Sequence, residues 1–172
     1  MAFFGLLRVS EYTCPTVSRF DPERHLSVAD VTIVPSSRLA HVCIKASKTD
    51  PFRVGAVVRL GYTGTSICPV SALIAYLQSR APVRGPLFVF ENGRFLTRRH
   101  ISTVIRGALG QHVSADTHSL RIGGASALAA LHTPAYVIQT LGRWRSDAYR
   151  DYLRLPDDYI LGRAVALATL LH

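Results

Sequence analysis

The sequence predicts an α+β domain, mainly α-helical with one small three-stranded antiparallel sheet, and three observations carry that expectation. Between Val28 and Leu60 the chain is a block of β-branched runs broken by short polar turns, which is strand texture. Downstream, apolar residues recur at the three-and-four spacing of helices, separated by glycine and proline stops. Finally, 172 residues with 48% hydrophobic content are enough for one ordinary core, and no repeat or low-complexity linker divides them, so residues 1–172 read as a single domain.

Taken in order, residues 2–12 read as the end of a helix, with Leu6, Leu7 and Val9 apolar and Tyr12-Thr13-Cys14-Pro15 as its stop. VADVTIVP, AHVCIKAS and VGAVVRL read as the three strands, and the connection KTDPFR places Lys48 on a loop between two of them. After Cys68-Pro69, residues Val70, Leu73, Ile74 and Leu77 share a helix face, which Pro82 and Gly85-Pro86 end. A short run, LFVF, follows. Thr97 is placed to cap a helix containing Ile101, Val104, Ile105 and Leu109, closed by Gly110. Thr117 or Ser119 opens the next, whose Gly123-Gly124 pair costs helix stability but permits close backbone approach. Pro134–Leu141 is a further short helix ended by Gly142, Ser146-Asp147 caps AYRDYLR, and Pro156-Asp157-Asp158 starts a final helix whose Ile160, Val165, Leu167 and Leu171 are apolar.

Charge narrows the function classes. Lysine and arginine number 20 against 11 aspartates and glutamates, a formal +9, so the surface carries an excess positive field suited to polyanions. The cysteines Cys14, Cys43 and Cys68 are odd in number and far apart, which argues against a disulfide framework or a zinc knuckle and for a reducing compartment. The apolar runs around Leu6 and Val165 are far too short to span a bilayer, and the start MAFFGLLR lacks a basic leader. The expectation is an intracellular protein, nuclear in a eukaryote or in the cytoplasm or nucleoid of a prokaryote. The histidines form no H-E-x-x-H pattern, and the few acids are too scattered for a two-metal nuclease, so no metal or other cofactor is expected.

Six residues stand in contexts that suggest chemistry: Arg8 in GLLRVSE, Lys48 in KASKTD, His118 and Arg121 in HSLR, Trp144 in LGRW and Tyr152 in YRDYLR. Singly, each has an ordinary reading as a surface cation, a helix-start residue or a core aromatic. Together and in this order they resemble the catalytic domain of the tyrosine recombinases, the phage and transposon integrase family, over almost the whole chain. H-S-L-R is the strongest element, and LGRWRSDAYRDYLR is most similar to recombinases of DIRS-like and crypton-like mobile elements.

The resemblance implies a DNA breaking and rejoining enzyme acting on double-stranded DNA without metal, through a 3′-phosphotyrosyl intermediate. The charge that builds on a phosphodiester's nonbridging oxygens during attack suits forked guanidinium donors, a role for Arg8 and Arg121. A tyrosine hydroxyl with a pKa of about 10 is almost wholly protonated at neutral pH, so a base is needed, and His118 is the candidate. The resemblance makes Lys48 the acid that protonates the leaving 5′ oxygen and Tyr152 the nucleophile. Tyr149, three residues earlier, is the alternative nucleophile, otherwise a packing residue. Many members place a histidine or tryptophan after Leu141-Gly142; here the ungapped position is Arg143 and the tryptophan follows, leaving Trp144 with Arg143 as its alternative. Glu11 matches an acidic position that supports the site from behind.

Two other readings compete: a non-enzymatic DNA-binding derivative of a recombinase, and a type IB topoisomerase, which relaxes supercoils by similar chemistry. Family members carry an upstream helical domain that closes round the duplex, and with Arg8 so near the first residue no such core-binding domain is expected here. In the family a helix beyond the tyrosine docks on a neighbouring subunit, which implies a homotetramer on DNA through the segment Asp157–Leu171; packing of that amphipathic segment on its own core is the alternative.

Overall fold

The computed structural model describes residues 1–47, 50, 52–110, 115–154 and 157–169, which fall into two compact units, Met1–Arg121 and Ile122–His172. In the first unit, residues 2–12 are not the end of one helix. The Leu7 amide donates to the Ala2 carbonyl (2.9 Å) and the Leu6 amide to that of Phe3 (3.3 Å), closing a helical turn with Leu6 in the left-handed region (φ 46°). Leu6 is 1% exposed, so burial of its side chain supports a backbone conformation that glycine ordinarily supplies. Helix α1 (Val9–Tyr12) then starts afresh from an extended Arg8, whose amide donates to the Glu11 carboxylate at 2.8 Å.

The three strands form as expected. β1 (Val31–Val34), β2 (Leu39–Ile44) and β3 (Ala56–Gly61) pair antiparallel in the order β1-β2-β3. Ala40 lies opposite Leu60, and Val42 lies between Val31 and Val58. Alternation puts Ala40, Val42, Ile44, Val58 and Leu60 on one buried face, where they join Leu7, Tyr12, Leu26, Val70, Leu73 and Leu87 in the core. The first strand begins at Val31 and not at Val28. Residues Val28–Asp30 instead form a 3₁₀ turn, because the Asp30 carboxylate accepts from both the amide and the hydroxyl of Ser27 (2.7 Å each).

Helix α2 (Pro69–Ser79) has proline in its first turn and buries Val70 and Leu73. The LFVF run ends in a single antiparallel bridge between Val89 and Phe95. Helix α3 (Arg98–Leu109) runs from Thr97 to Gly110, whose φ of 78° closes it. Its apolar stripe is narrower than the sequence implies. Ile105 is buried, whereas Val104 and Leu109 are 68% and 52% exposed, because only the line through Ile101 and Ile105 meets the core. Helix α4 (Ser119–Ala130) crosses the boundary between the units.

In the second unit, α5 (Ala135–Gly142) ends with Arg143 in the left-handed region (φ 58°), and the amides of Arg143 and Trp144 donate to Thr140 and Gln139. Gly142 is therefore not the left-handed stop that its position suggests. A Cβ there would overlap the six-membered ring of Trp144, so the glycine makes room for the indole to fold back over the helix end. Ser146 caps a 3₁₀ helix over Asp147–Tyr152, its hydroxyl accepting from the Ala148 amide (3.4 Å). Helix α6 (Asp157–Thr169) follows and leaves Ile160, Leu161 and Val165 exposed; the side chain of Leu167 and all of Leu171 lie outside the described residues. No helix among the described residues is long and apolar enough to cross a membrane.

Candidate functional site

Arg8 is built into the first unit by its own neighbours. Its side chain is 16% exposed beside a Glu11 side chain that is fully enclosed, and Nη1 donates to Glu11 Oε1 at 3.2 Å. That distance is long for a charge-assisted bond. A shorter link passes through Ser47, whose hydroxyl accepts from Arg8 Nη1 at 2.8 Å and donates to Glu11 Oε1 at 2.9 Å. The segment that leaves β2 is thereby tied to the start of α1.

Arg121 is 1% exposed, in the first turn of α4, and its Nη1 donates to the Leu6 carbonyl at 2.6 Å. The left-handed turn at Leu6 thus supplies the acceptor for a buried guanidinium, two residues before Arg8. Such a charge acts at low effective dielectric, where its field reaches further than a solvated one.

His118 stands just ahead of α4 and is exposed. Asp116 fixes the approach: its carboxylate pairs with Arg98 and accepts from the Ser102 hydroxyl (2.9 Å), while its amide donates to the Ser119 hydroxyl (3.1 Å). The Thr117 amide, Arg98 and Ser102 together hold the Asp116 carboxyl down at about 2. The His118 ring is shifted below its ordinary value, first by partial desolvation and then by the charges of Arg121 and Arg8, with Asp116 opposing. Arg8 and Arg121 are therefore close enough for their charges to act on the His118 imidazole. Lys48 lies outside the described residues.

The second unit holds the aromatic candidates. Trp144 is 9% exposed and Tyr149 is 4% exposed, their ring centroids 6.2 Å apart. Arg150 pairs with Asp147 at 3.2 Å, and the neighbouring Tyr149 hydroxyl and the Asp147 carboxylate raise the basicity of that arginine. Arg143 caps α5, with Nη1 donating to the Leu141 carbonyl (3.2 Å). Tyr152 closes the 3₁₀ helix Asp147–Tyr152; its side chain lies outside the described residues.

Sequence reasoning missed Ser47 entirely. The one sequence signal for Ser47 is its place beside Lys48, since nothing local connects it to Glu11, 36 positions away. Among the described residues no group of three histidine, cysteine, aspartate or glutamate side chains is gathered to hold a metal ion.

The fold, mainly helical with a three-stranded antiparallel sheet, is that of the tyrosine recombinase catalytic domain. The chain is similar to XerA recombinase (TM-score 0.69, 20% identity, covering 95% of this chain and 53% of that one). It is also similar to the XerH site-specific recombinase bound to difH substrate in a pre-cleavage complex (TM-score 0.64, 19% identity, 95% of this chain and 43% of that one). A third match is the Tn1549 transposon integrase in complex with a circular intermediate DNA (TM-score 0.58, 12% identity, 96% and 56%). The chain thus spans about half the length of these structures. No protein-family model and no curated protein sequence matches it.

Proposed function

We propose that this chain is the catalytic part of a site-specific DNA recombinase that cuts and reseals one strand through a tyrosine, with no metal and no cofactor. The observation that carries the reading is the convergence, within the recombinase fold, of a buried guanidinium (Arg121), a partly exposed one (Arg8) and a histidine whose basicity both depress. Glu11 and Asp116 are the nearby carboxylates, and each is already engaged, so an added anion is the natural complement. A phosphodiester supplies it.

In the cleavage step the Tyr152 hydroxyl oxygen bonds to phosphorus while the bond from phosphorus to the 5′ oxygen breaks. The phenolic proton passes to His118, whose lowered basicity favours the neutral, proton-accepting ring. Lys48 protonates the departing 5′ oxygen. Arg8 and Arg121 stabilise the charge that grows on the nonbridging oxygens, Arg121 from the wall of the site. Trp144 adds an indole N–H donor. The covalent link conserves the energy of the broken bond, so a second 5′ hydroxyl reverses the step.

The finer parts of the reading rest on the same resemblance. The partner is duplex DNA, the kinship that of DIRS-like and crypton-like elements, and the setting intracellular, nuclear in a eukaryote or in the cytoplasm or nucleoid of a prokaryote. Exposed Ile160, Leu161 and Val165 on α6 favour assembly of a tetramer on DNA through that helix. The test is single-turnover capture on a pool of nicked suicide duplexes in chelator. Wild type should form a covalent complex. Arg8→Ala or Arg121→Lys should slow it by roughly a hundredfold or more, as loss of one preorganised donor does elsewhere. Relaxation of a supercoiled plasmid without exchange between paired sites would point to a topoisomerase instead, and salt-sensitive binding without capture to a non-enzymatic module.

A further inference from the structure

Resting on that reading, we propose that Ser47 is a positioning residue that sets which edge of the Arg8 guanidinium faces the scissile phosphate. Arg8 Nη1 carries two hydrogens, and the structure accounts for both: one to Glu11 Oε1 (3.2 Å) and one to Ser47 Oγ (2.8 Å). Nε and Nη2 make no hydrogen bond among the described residues, and the side chain keeps 16% of its surface open. The free donors of Arg8 are thus on the side away from Ser47 and Glu11.

Glu11 alone does not fix this orientation. The direct contact is long, and a carboxylate oxygen accepts over a wide range of directions, so the guanidinium can pivot about it. Ser47 removes the pivot. Its hydroxyl accepts from Nη1 and gives its single proton to Glu11 Oε1 at 2.9 Å, closing a three-residue ring of hydrogen bonds. Because Ser47 follows β2 whereas Arg8 and Glu11 flank the start of α1, the ring also locks two distant segments at the point where the anion is to bind. Serine's short side chain and dual donor–acceptor character both matter. Alanine breaks the ring, and threonine retains it.

The experiment is a rate comparison on nicked suicide duplexes, whose irreversible capture lets slow variants accumulate product over days. Ser47→Ala should lower the single-turnover cleavage rate by about tenfold to a hundredfold, the usual consequence of misplacing a donor by an ångström, with duplex affinity changed little. Ser47→Thr should stay within about threefold of wild type, and thermal unfolding of both variants verifies the fold. In an Arg8→Ala background, Ser47→Ala should have almost no further effect, because the residue it positions is gone.

Equal slowing by Ser47→Ala in both backgrounds would overturn the proposal and make Ser47 merely structural. So would an unchanged rate in the single variant, or loss of the effect on a duplex with a bridging 5′ sulfur, whose departure needs no proton. That last result would assign Ser47 to leaving-group protonation. No capture by the wild-type protein would remove the proposed function, and this inference with it, whereas capture that ignores Ser47 removes this inference alone.

Discussion

Replacing Glu11 with glutamine isolates the electrostatic part of the Arg8 anchor, because the amide keeps the shape and loses the charge. The native carboxylate accepts from the Arg8 amide (2.8 Å), Arg8 Nη1 (3.2 Å) and the Ser47 hydroxyl (2.9 Å) with its side chain fully enclosed. Glutamine has one oxygen for these two positions. If it takes the Oε1 place, its NH₂ faces the Arg8 amide donor; turned over, it faces the Nη1 donor. Either way a donor meets a donor, costing about 1–3 kcal/mol, and the guanidinium loses its counter-charge. Removing one partner of a sealed ion pair costs about 3–5 kcal/mol. With Arg8 16% exposed the lower end applies, so we expect a total near 3 kcal/mol. For a chain of this size that is roughly 6–12 °C in Tm, read by circular dichroism and by urea titration. A loss below about 0.5 kcal/mol, or the same loss in an Arg8→Ala background, would refute the anchor as described.

Gly142→Ala should expel the Trp144 ring from the end of α5 at a cost of about 1–3 kcal/mol. Trp144 is the sole tryptophan, so red-shifted emission and easier quenching report it directly, and an unchanged spectrum contradicts the packing. For Asp116, whose carboxyl is depressed to about 2, the stabilisation is complete above the unfolded value near 4 and is lost as pH falls toward 2. Asp116→Asn should therefore remove part of the acid dependence of unfolding between about pH 4 and 2 and lower stability at pH 7; an identical acid profile would count against that role. His118 has the opposite sign of charge: its lowered basicity means that protonation in acid, below about 6.5, opposes the folded arrangement. NMR titration should place its folded midpoint below that of a free histidine, and inorganic phosphate at the site should move it upward. A midpoint unmoved by phosphate would separate His118 from any anion site. Duplex binding should weaken steeply with salt, one to two orders of magnitude between 50 and 200 mM if about three to four phosphates are contacted, and a flat response would exclude phosphate contacts as its source.

The sheet was legible because alternation in AHVCIKAS and VGAVVRL is a local signal, and a strand with one buried face must obey it. HSLR was legible as a helix opening for a similar reason: α4 begins at Ser119, with His118 just ahead of it and Arg121 in its first turn. What local pattern could not show is decided by contacts far along the chain. Leu6 reads as a helix residue, yet it takes a left-handed turn because its side chain is buried and its carbonyl meets Arg121, 115 positions later. Ser47 reads as a loop residue until Glu11 and Arg8 are beside it. Gly142 reads as a helix stop, and the correct residue for that role is Arg143, because the space above the glycine belongs to Trp144. Val104 and Leu109 fit a helical stripe and still face outward, since periodicity states which residues share a face but not how wide a face the core will cover.

The most direct measurement is to identify the residue that carries DNA after capture on a nicked suicide duplex, by protease digestion and mass spectrometry of the adduct. The expected result is a phosphotyrosyl link at Tyr152, formed by Tyr149→Phe and abolished by Tyr152→Phe. An adduct on Tyr149, or one that survives in both single variants, would contradict it.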